Sequence, residues 1–257
     1  VLQARISQLP VNVGQLLNVV AVAGCPLVWT IAKKIVDLVA DEQVVFALLR
    51  AQHLIRVRET GDQTEIEIYH DRIRENILNN LSEQQLQHYH LALAEILETN
   101  SQTDPETLAN HFFAAGKIDK SIEYLIQAAN KAYKMLAFDQ AARLYKQVLS
   151  SKTKNNSELW QRLGTSLANF GRCAESAEAY LTAANLETNE ANIIQLQRMA
   201  AEQLLISGHM DQGLAVLQSF LDRVGLSLPS SPKKALLSFL YKRAQIWWRG
   251  QHFGQRG

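Results

Sequence analysis

Between Trp160 and Ala183, large, small and turn-forming residues fall at fixed intervals. The run is Trp160-x-x-Leu163-Gly164-x-x-Leu167, then Gly171, then Ser176-x-x-x-Tyr180-x-x-Ala183. Trp160, Leu163 and Leu167 stripe one face of a first helix. Gly164, having no Cβ, lets a second helix come close. Gly171 ends the first helix, and small Ser176 and Ala183 leave room for large side chains from across the pair. The spacing predicts two antiparallel helices joined by a tight turn.

The pattern recurs. Gly116–Ala128, Leu136–Val148, Gly171–Ala183 and Gly208–Phe220 align without gaps from the turn residue. Each has an apolar residue two positions on (Ile118, Phe138, Cys173, Met210), then a small one (Ser121, Ala141, Ser176, Gly213), then a bulky one (Leu125, Tyr145, Tyr180, Leu217). The series resembles the tetratricopeptide repeat, a helical pair of about 34 residues that stacks into an array. Leu167 departs from the usual aromatic and Thr188 from the closing proline. The first two anchors lie too close for separate repeats, so one long helix near Ile118–Met135 is expected to serve two successive pairs.

The first hundred residues follow other rules. Helices are expected near Val13–Val22, near Leu27–Leu38 and over Asp41–Gln52, with Asp41 as a cap. The period then becomes two: His53–Glu59 and Thr64–His70 flank a turn at Gly61-Asp62-Gln63, which reads as a β-hairpin. Helices follow over Asp71–Leu81 and Ser82–Thr99, the latter opened by a Ser82/Gln85 capping box. The predicted fold class is mainly α: a winged-helix domain with a small hairpin (residues 1–81), a connecting helix (82–104), an α-solenoid of tetratricopeptide-like repeats (105–226), and a basic amphipathic segment (227–257).

The run Ile68-Tyr69-His70-Asp71-Arg72-Ile73-Arg74-Glu75 resembles the His-Asp segment closing the winged-helix domain of STAND signalling ATPases. The order of winged helix, His-Asp, helix pair and repeats is similar to the middle of large bacterial Ser/Thr kinases with a fused AAA/STAND ATPase. So is the run from Leu228-Pro229 through Pro232-Lys233-Lys234, with Arg243-Ala244 and Arg249-Gly250 beyond. The resemblance implies that His70 touches a nucleotide, ADP or ATP, held by an upstream ATPase domain of the same protein. An imidazole can donate to a phosphate oxygen. Asp71 would then cap the helix that follows. The plain alternative is that His70 only ends a strand.

No G-x-x-x-x-G-K-[ST] loop, kinase catalytic loop, nucleophile elbow or zinc-spaced Cys/His set is present. The chain is therefore expected to be non-catalytic, with neither metal nor nucleotide bound by itself. His88 and His90, two apart on a helix, point to different faces, and His111 is expected either to pack or to sit at an inter-helix surface. Formal net charge is +1, which selects no polyanionic partner. Cys25 and Cys173 are expected as buried thiols in a reducing cytoplasm. The chain lacks an initiator Met, a signal peptide and a membrane span, and reads as a fragment.

These features point to a regulatory, protein-binding region of a larger signalling ATPase or kinase. First helices of the repeats would line a concave groove for a peptide or helix, with Asn110, Arg162 and Asn169 as candidate contacts. The alternative is a winged-helix DNA-binding regulator with a repeat effector domain. Against it, the third helix starts Asp41-Glu42, and the wing mixes Arg56 and Arg58 with Glu59, Asp62, Glu65 and Glu67. From Ser231 on, Lys233, Lys234, Lys242, Arg243, Arg249 and Arg256 interleave with large apolar residues, with no acid. Such a segment can meet an anionic membrane; the simpler expectation is that it packs on the last repeat.

Overall fold

The computed structural model describes residues 2–37, 41–61, 63–100, 102–151, 155–223, 225–226 and 232–248. They divide into two compact units, residues 1–131 and 132–257.

Unit 1 begins with α1 (Leu2–Ser7), α2 (Val11–Ala23), β1 (Leu27–Val28), α3 (Trp29–Ile35) and α4 (Glu42–Ala51). The hairpin β2 (Ile55–Thr60) and β3 (Gln63–Ile68) follows, then α5 (Asp71–Asn80), α6 (Glu83–Glu98) and α7 (Pro105–Ala114). The strands form an antiparallel sheet of order β1-β3-β2, with Leu27 opposite Ile66 and Ile55 opposite Ile68. Period-two alternation does what the sequence predicts: Ile55 and Ile66 are buried while Arg56 and Arg58 face out. The core gathers Leu16, Leu17 and Val20 of α2 with Phe46, Leu49, Ile77 and Leu93. Trp29 meets Phe46 edge-on at 4.6 Å, a favoured aromatic geometry.

Three expectations are corrected here. Leu27 and Val28 form a strand against β3, so the helix starts only at Trp29 and ends at Ile35; Leu38 lies outside the described residues. Gly24, in the left-handed region at φ 70°, ends α2 and Pro26 follows, so the chain leaves Gly24 extended rather than helical. Cys25 consequently sits exposed in the connection, and Cys173 is only half-buried. The Asp41 cap and the Ser82/Gln85 capping box form as read. Helix α6 does more than connect: Tyr89 and Leu93 enter the core just described, while Ala94 packs with Leu108 and Phe112. The expected boundaries at 81/82 and 104/105 therefore fall inside unit 1.

Helix α8 (Ile118–Lys134) begins in unit 1 and places its last turn in unit 2. Unit 2 continues with α9 (Phe138–Leu149), α10 (Ser157–Phe170), α11 (Cys173–Leu186), α12 (Glu190–Ile206) and α13 (Met210–Arg223). Each packs on its neighbour in sequence from α9 to α13, the connectivity of a tetratricopeptide-like helical array. The four aligned turns share one hydrogen-bond pattern. In the α10–α11 turn, Gly171 N–H donates to Ala168 O and Arg172 N–H to Leu167 O. The same pair recurs at Gly116/Lys117, Leu136/Ala137 and Gly208/His209. All four turn residues have positive φ: 74°, 61°, 86° and 82° in chain order. Leu136 thus holds a left-handed conformation that the other turns give to glycine, while 71% exposed.

Gly164 is required by packing. A Cβ there would lie 2.8 Å from the Tyr180 ring, and the Ser176 hydroxyl donates to the Gly164 carbonyl at 2.7 Å. In unit 1, Ser121 repeats this bond to Ala109 O at 2.8 Å. Beyond α13, α14 (Pro232–Trp248) does not pack on the last repeat: Leu236, Leu237, Phe239, Leu240, Tyr241, Ile246 and Trp247 are all more than half exposed. Arg249 and Arg256 lie outside the described residues. No described helix is long and apolar enough to cross a membrane.

Two substitutions test the turn and packing analysis by urea unfolding. Gly164→Ala is expected to destabilise by about 2 kcal/mol, because overpacking against Tyr180 outweighs the better helix propensity. Leu136→Gly is expected to stabilise by about 0.5 kcal/mol, because relief of left-handed strain exceeds the added freedom of the unfolded chain.

Candidate functional site

A cleft of ≈ 290 Å³ opens in unit 2, lined by Tyr133, Tyr145, Glu158, Gln161, Arg162 and Thr165. Three elements supply these groups. The last turn of α8 presents Tyr133, whose ring meets Phe138 edge-on at 5.4 Å. Helix α9 presents Tyr145. Glu158, Gln161, Arg162 and Thr165 share one face of α10 because they are three or four residues apart.

The cleft is polar but charge-balanced. Arg162 donates through Nε and Nη2 to Glu158 Oε1, at 3.1 and 2.7 Å. Its guanidinium is held charged chiefly by that bond. Burial raises the Tyr145 phenol, outweighing the opposing pull of Arg162, so the hydroxyl stays protonated. Thr165 accepts from Tyr180 Oη at 3.1 Å and donates to Gln161 O at 2.9 Å, which ties the cleft wall to the Gly164–Tyr180 contact. Asn169 Nδ2 donates to Tyr133 Oη at 3.2 Å. Donors, acceptors and two phenol rings are thus offered side by side, chemistry that suits polar side chains or the backbone of an extended peptide better than a lone ion.

The structure therefore brings Arg162 and Asn169 together around Tyr133. Asn110 stands exposed on α7 in unit 1 and joins no such cluster. Tyr133 and Tyr145 were missed as site residues because their spacing reads equally well as core packing. The available signal was Tyr133 at the end of the helix shared between pairs.

Asp71 does not take the capping role expected of it. The cap of α5 is His70, whose Nδ1 accepts from Arg72 N–H at 3.2 Å; Asp71 is the first helical residue. The chain enters His70 still extended (φ −151°, ψ 141°), which is the cap conformation, so the ring and not the carboxylate reaches back over the first turn. An Nδ1 that accepts leaves the proton of the neutral ring on Nε2. The His70 side chain is exposed. Asp71 remains favourably placed beside the positive end of the helix dipole.

A second histidine arrangement was not legible in the sequence. His90 Nδ1 and His111 Nδ1 lie 2.9 Å apart, joining α6 to α7, and His111 is 5% exposed. Burial first, then the neighbouring His90, lowers His111 to about 4. Burial and Arg74 lower His90. Among the described residues no group of three His, Cys, Asp or Glu is placed to hold a metal ion.

No family model and no curated protein matches the chain. Among solved structures it is similar to MamA AMB-1, with 19% identity over 57% of this chain and 87% of that one, at a TM-score of 0.35. It is also similar to a signal transduction ATPase with numerous domains (STAND) carrying a tetratricopeptide repeat sensor, from Pyrococcus horikoshii. That match has 16% identity and a TM-score of 0.47, over 86% of this chain. The chain spans 33% of the length of that STAND protein.

The His90–His111 pair gives a pH prediction. His111 titrates near 4 when folded and near 6.5 when unfolded, so between these values the unfolded chain binds the extra proton. Its contribution to stability is complete above about pH 6.5, is lost as pH falls toward 4, and changes no further below. The loss amounts to about 3 kcal/mol. Urea midpoints measured from pH 7 to pH 4 should fall, and His111→Gln should flatten the profile in that window.

Proposed function

We propose that this chain is the regulatory, protein-binding region of a larger STAND-type signalling ATPase, alone or fused to a Ser/Thr kinase. The helical array would engage a protein partner, and the N-terminal unit would couple that engagement to the nucleotide state. The observation carrying the first half is the polar, aromatic cleft of unit 2. Its donors and acceptors are fixed by helix packing before any partner arrives, which lowers the ordering cost of binding.

The second half rests on residues 1–81. The order α2, β1, α3, α4 and a β2–β3 hairpin, with β3 lying between β1 and β2 in the sheet, supports reading this segment as a winged helix. His70 supports the sensor role through its tautomer: with Nδ1 engaged by Arg72 N–H, an Nε2–H is left as donor at the surface. Nucleotide supplied by an upstream ATPase domain would offer phosphate oxygens as acceptors. This chain contributes the donor and the helix start; it has no phosphate-cradling loop and performs no catalysis in this reading. A partner that binds one nucleotide state better than the other would shift the closed–open equilibrium by that difference in affinity.

The test compares the 257-residue chain with the protein extended N-terminally through its ATPase domain. Tight ADP binding with slow release is expected only in the extended protein. His70→Ala should speed release about tenfold, as loss of one hydrogen bond to a charged group implies. Unchanged release removes the sensor role. In parallel, a photo-crosslinker at Gln161 should yield a discrete adduct that Arg162→Ala suppresses, whereas the same group at Glu178 on α11 should not. Equal labelling at both positions would rule out the cleft as the partner site.

A further inference from the structure

Unit 1 carries a second cavity, of ≈ 430 Å³, lined by Arg50, His53, Ile55, Arg56, Val57, Arg58 and Tyr69. It forms where α4 turns into β2. His53 N–H donates to Arg50 O and Leu54 N–H to Leu49 O, with His53 in the left-handed region at φ 52°. This reversal brings Arg50, at the end of α4, beside the first residues of β2. Arg56 and Arg58 are two apart on a strand and project to the same face, outward. Tyr69, just past β3, shares it: the Arg56 Cζ sits 4.7 Å from the Tyr69 ring centre and the His53 ring 5.8 Å from it. Stacking on an aromatic face holds a guanidinium in place before any ligand binds.

The charges around this cavity do not balance. Two acids stand on the same face: Glu67, 2.7 Å from Arg58 and 3.9 Å from Arg56, and Glu65, the cross-strand partner of Arg58. Among the described residues, three guanidiniums against these two carboxylates leave an excess of one positive charge. Glu65 also accepts from Thr60 at 3.2 Å, and Glu59, on the opposite face of β2, accepts from Thr64 at 3.0 Å. Neither lines the cavity.

We propose that this cavity binds a short phosphate chain, a pyrophosphate group either free or at the end of a nucleotide. Arginine forks match paired phosphate oxygens in two-point contacts, and the His53 ring and the Tyr69 hydroxyl add further donors. Length decides against a nucleic-acid backbone. A long polyanion lying across the hairpin would run over Glu65 and Glu67, whereas a pyrophosphate confined to the cavity meets no acid among its lining residues. The site is separate from the sensor role proposed for His70, which needs the upstream ATPase domain; this one belongs to the 257-residue chain alone.

Calorimetry on that chain at low salt, about 50 mM, where screening is weak, decides the matter. Inorganic pyrophosphate and ADP should bind with sub-millimolar affinity and fast exchange, while adenosine should not bind. Arg50→Ala and Arg56→Ala should each weaken pyrophosphate about tenfold, and Arg56→Lys should recover part of the loss. His70→Ala should leave pyrophosphate binding unchanged, and the Arg50/Arg56 variants should leave ADP release from the extended protein unchanged. The two readings therefore fail independently. The proposal is overturned by absence of pyrophosphate binding at millimolar concentration, by unaltered binding in the double alanine variant, or by adenosine matching ADP. It is equally overturned if duplex DNA binds more tightly than pyrophosphate through the same arginines.

Discussion

The contact between Gly164 and the Tyr180 ring sets the geometry on which unit 2 depends. With no Cβ at 164, α10 and α11 approach until the ring covers the backbone, and Ser176 bonds the Gly164 carbonyl. That approach fixes Tyr180 so that its hydroxyl reaches Thr165, and Thr165 forms one wall of the cleft. Packing and candidate recognition surface are therefore one arrangement. The buried phenol of Tyr180 is satisfied by a group that also faces the cleft, which avoids the cost of a lone buried hydroxyl.

Repetition of a single turn accounts for the rest of the array. Each of four turns closes with the same two backbone bonds and a left-handed residue, so successive pairs reverse direction alike. Leu136 is the informative exception. It accepts backbone strain yet gains little burial, and Met135 beside it is equally exposed. The strain is tolerated because the turn is over-determined by the helices on either side.

In unit 1 the same economy of backbone donors explains His70. The first N–H groups of α5 need acceptors, and the extended conformation of residue 70 puts the imidazole within reach while carrying Asp71 into the helix. A neutral ring committed at one nitrogen and open at the other is a directional donor. The His90–His111 pair is different in kind: both rings are turned inward between α6 and α7, and their coupling is structural and pH-dependent.

Periodicity and turn chemistry were enough to locate most elements. The repeat register, the long α8, the Gly171 stop, the hairpin and the Ser82 capping box all follow from interactions among residues a few positions apart, which sequence spacing encodes directly. What the spacing could not carry were pairings between distant segments. Leu27-Val28 became a strand because β3 offered an edge. Cys25 surfaced because Gly24 turned the chain. His90 found His111, and Arg50 met Arg56 across a helix–strand junction. Asn110 and Arg162, both read as lining a groove, proved to lie in different units, and Arg162 lines the cleft of unit 2. Local hydrogen bonding and side-chain size fix helices, turns and caps. Which faces finally meet, and which charges are left unbalanced, is decided only when the chain closes its cores, because burial is a property of the packed whole.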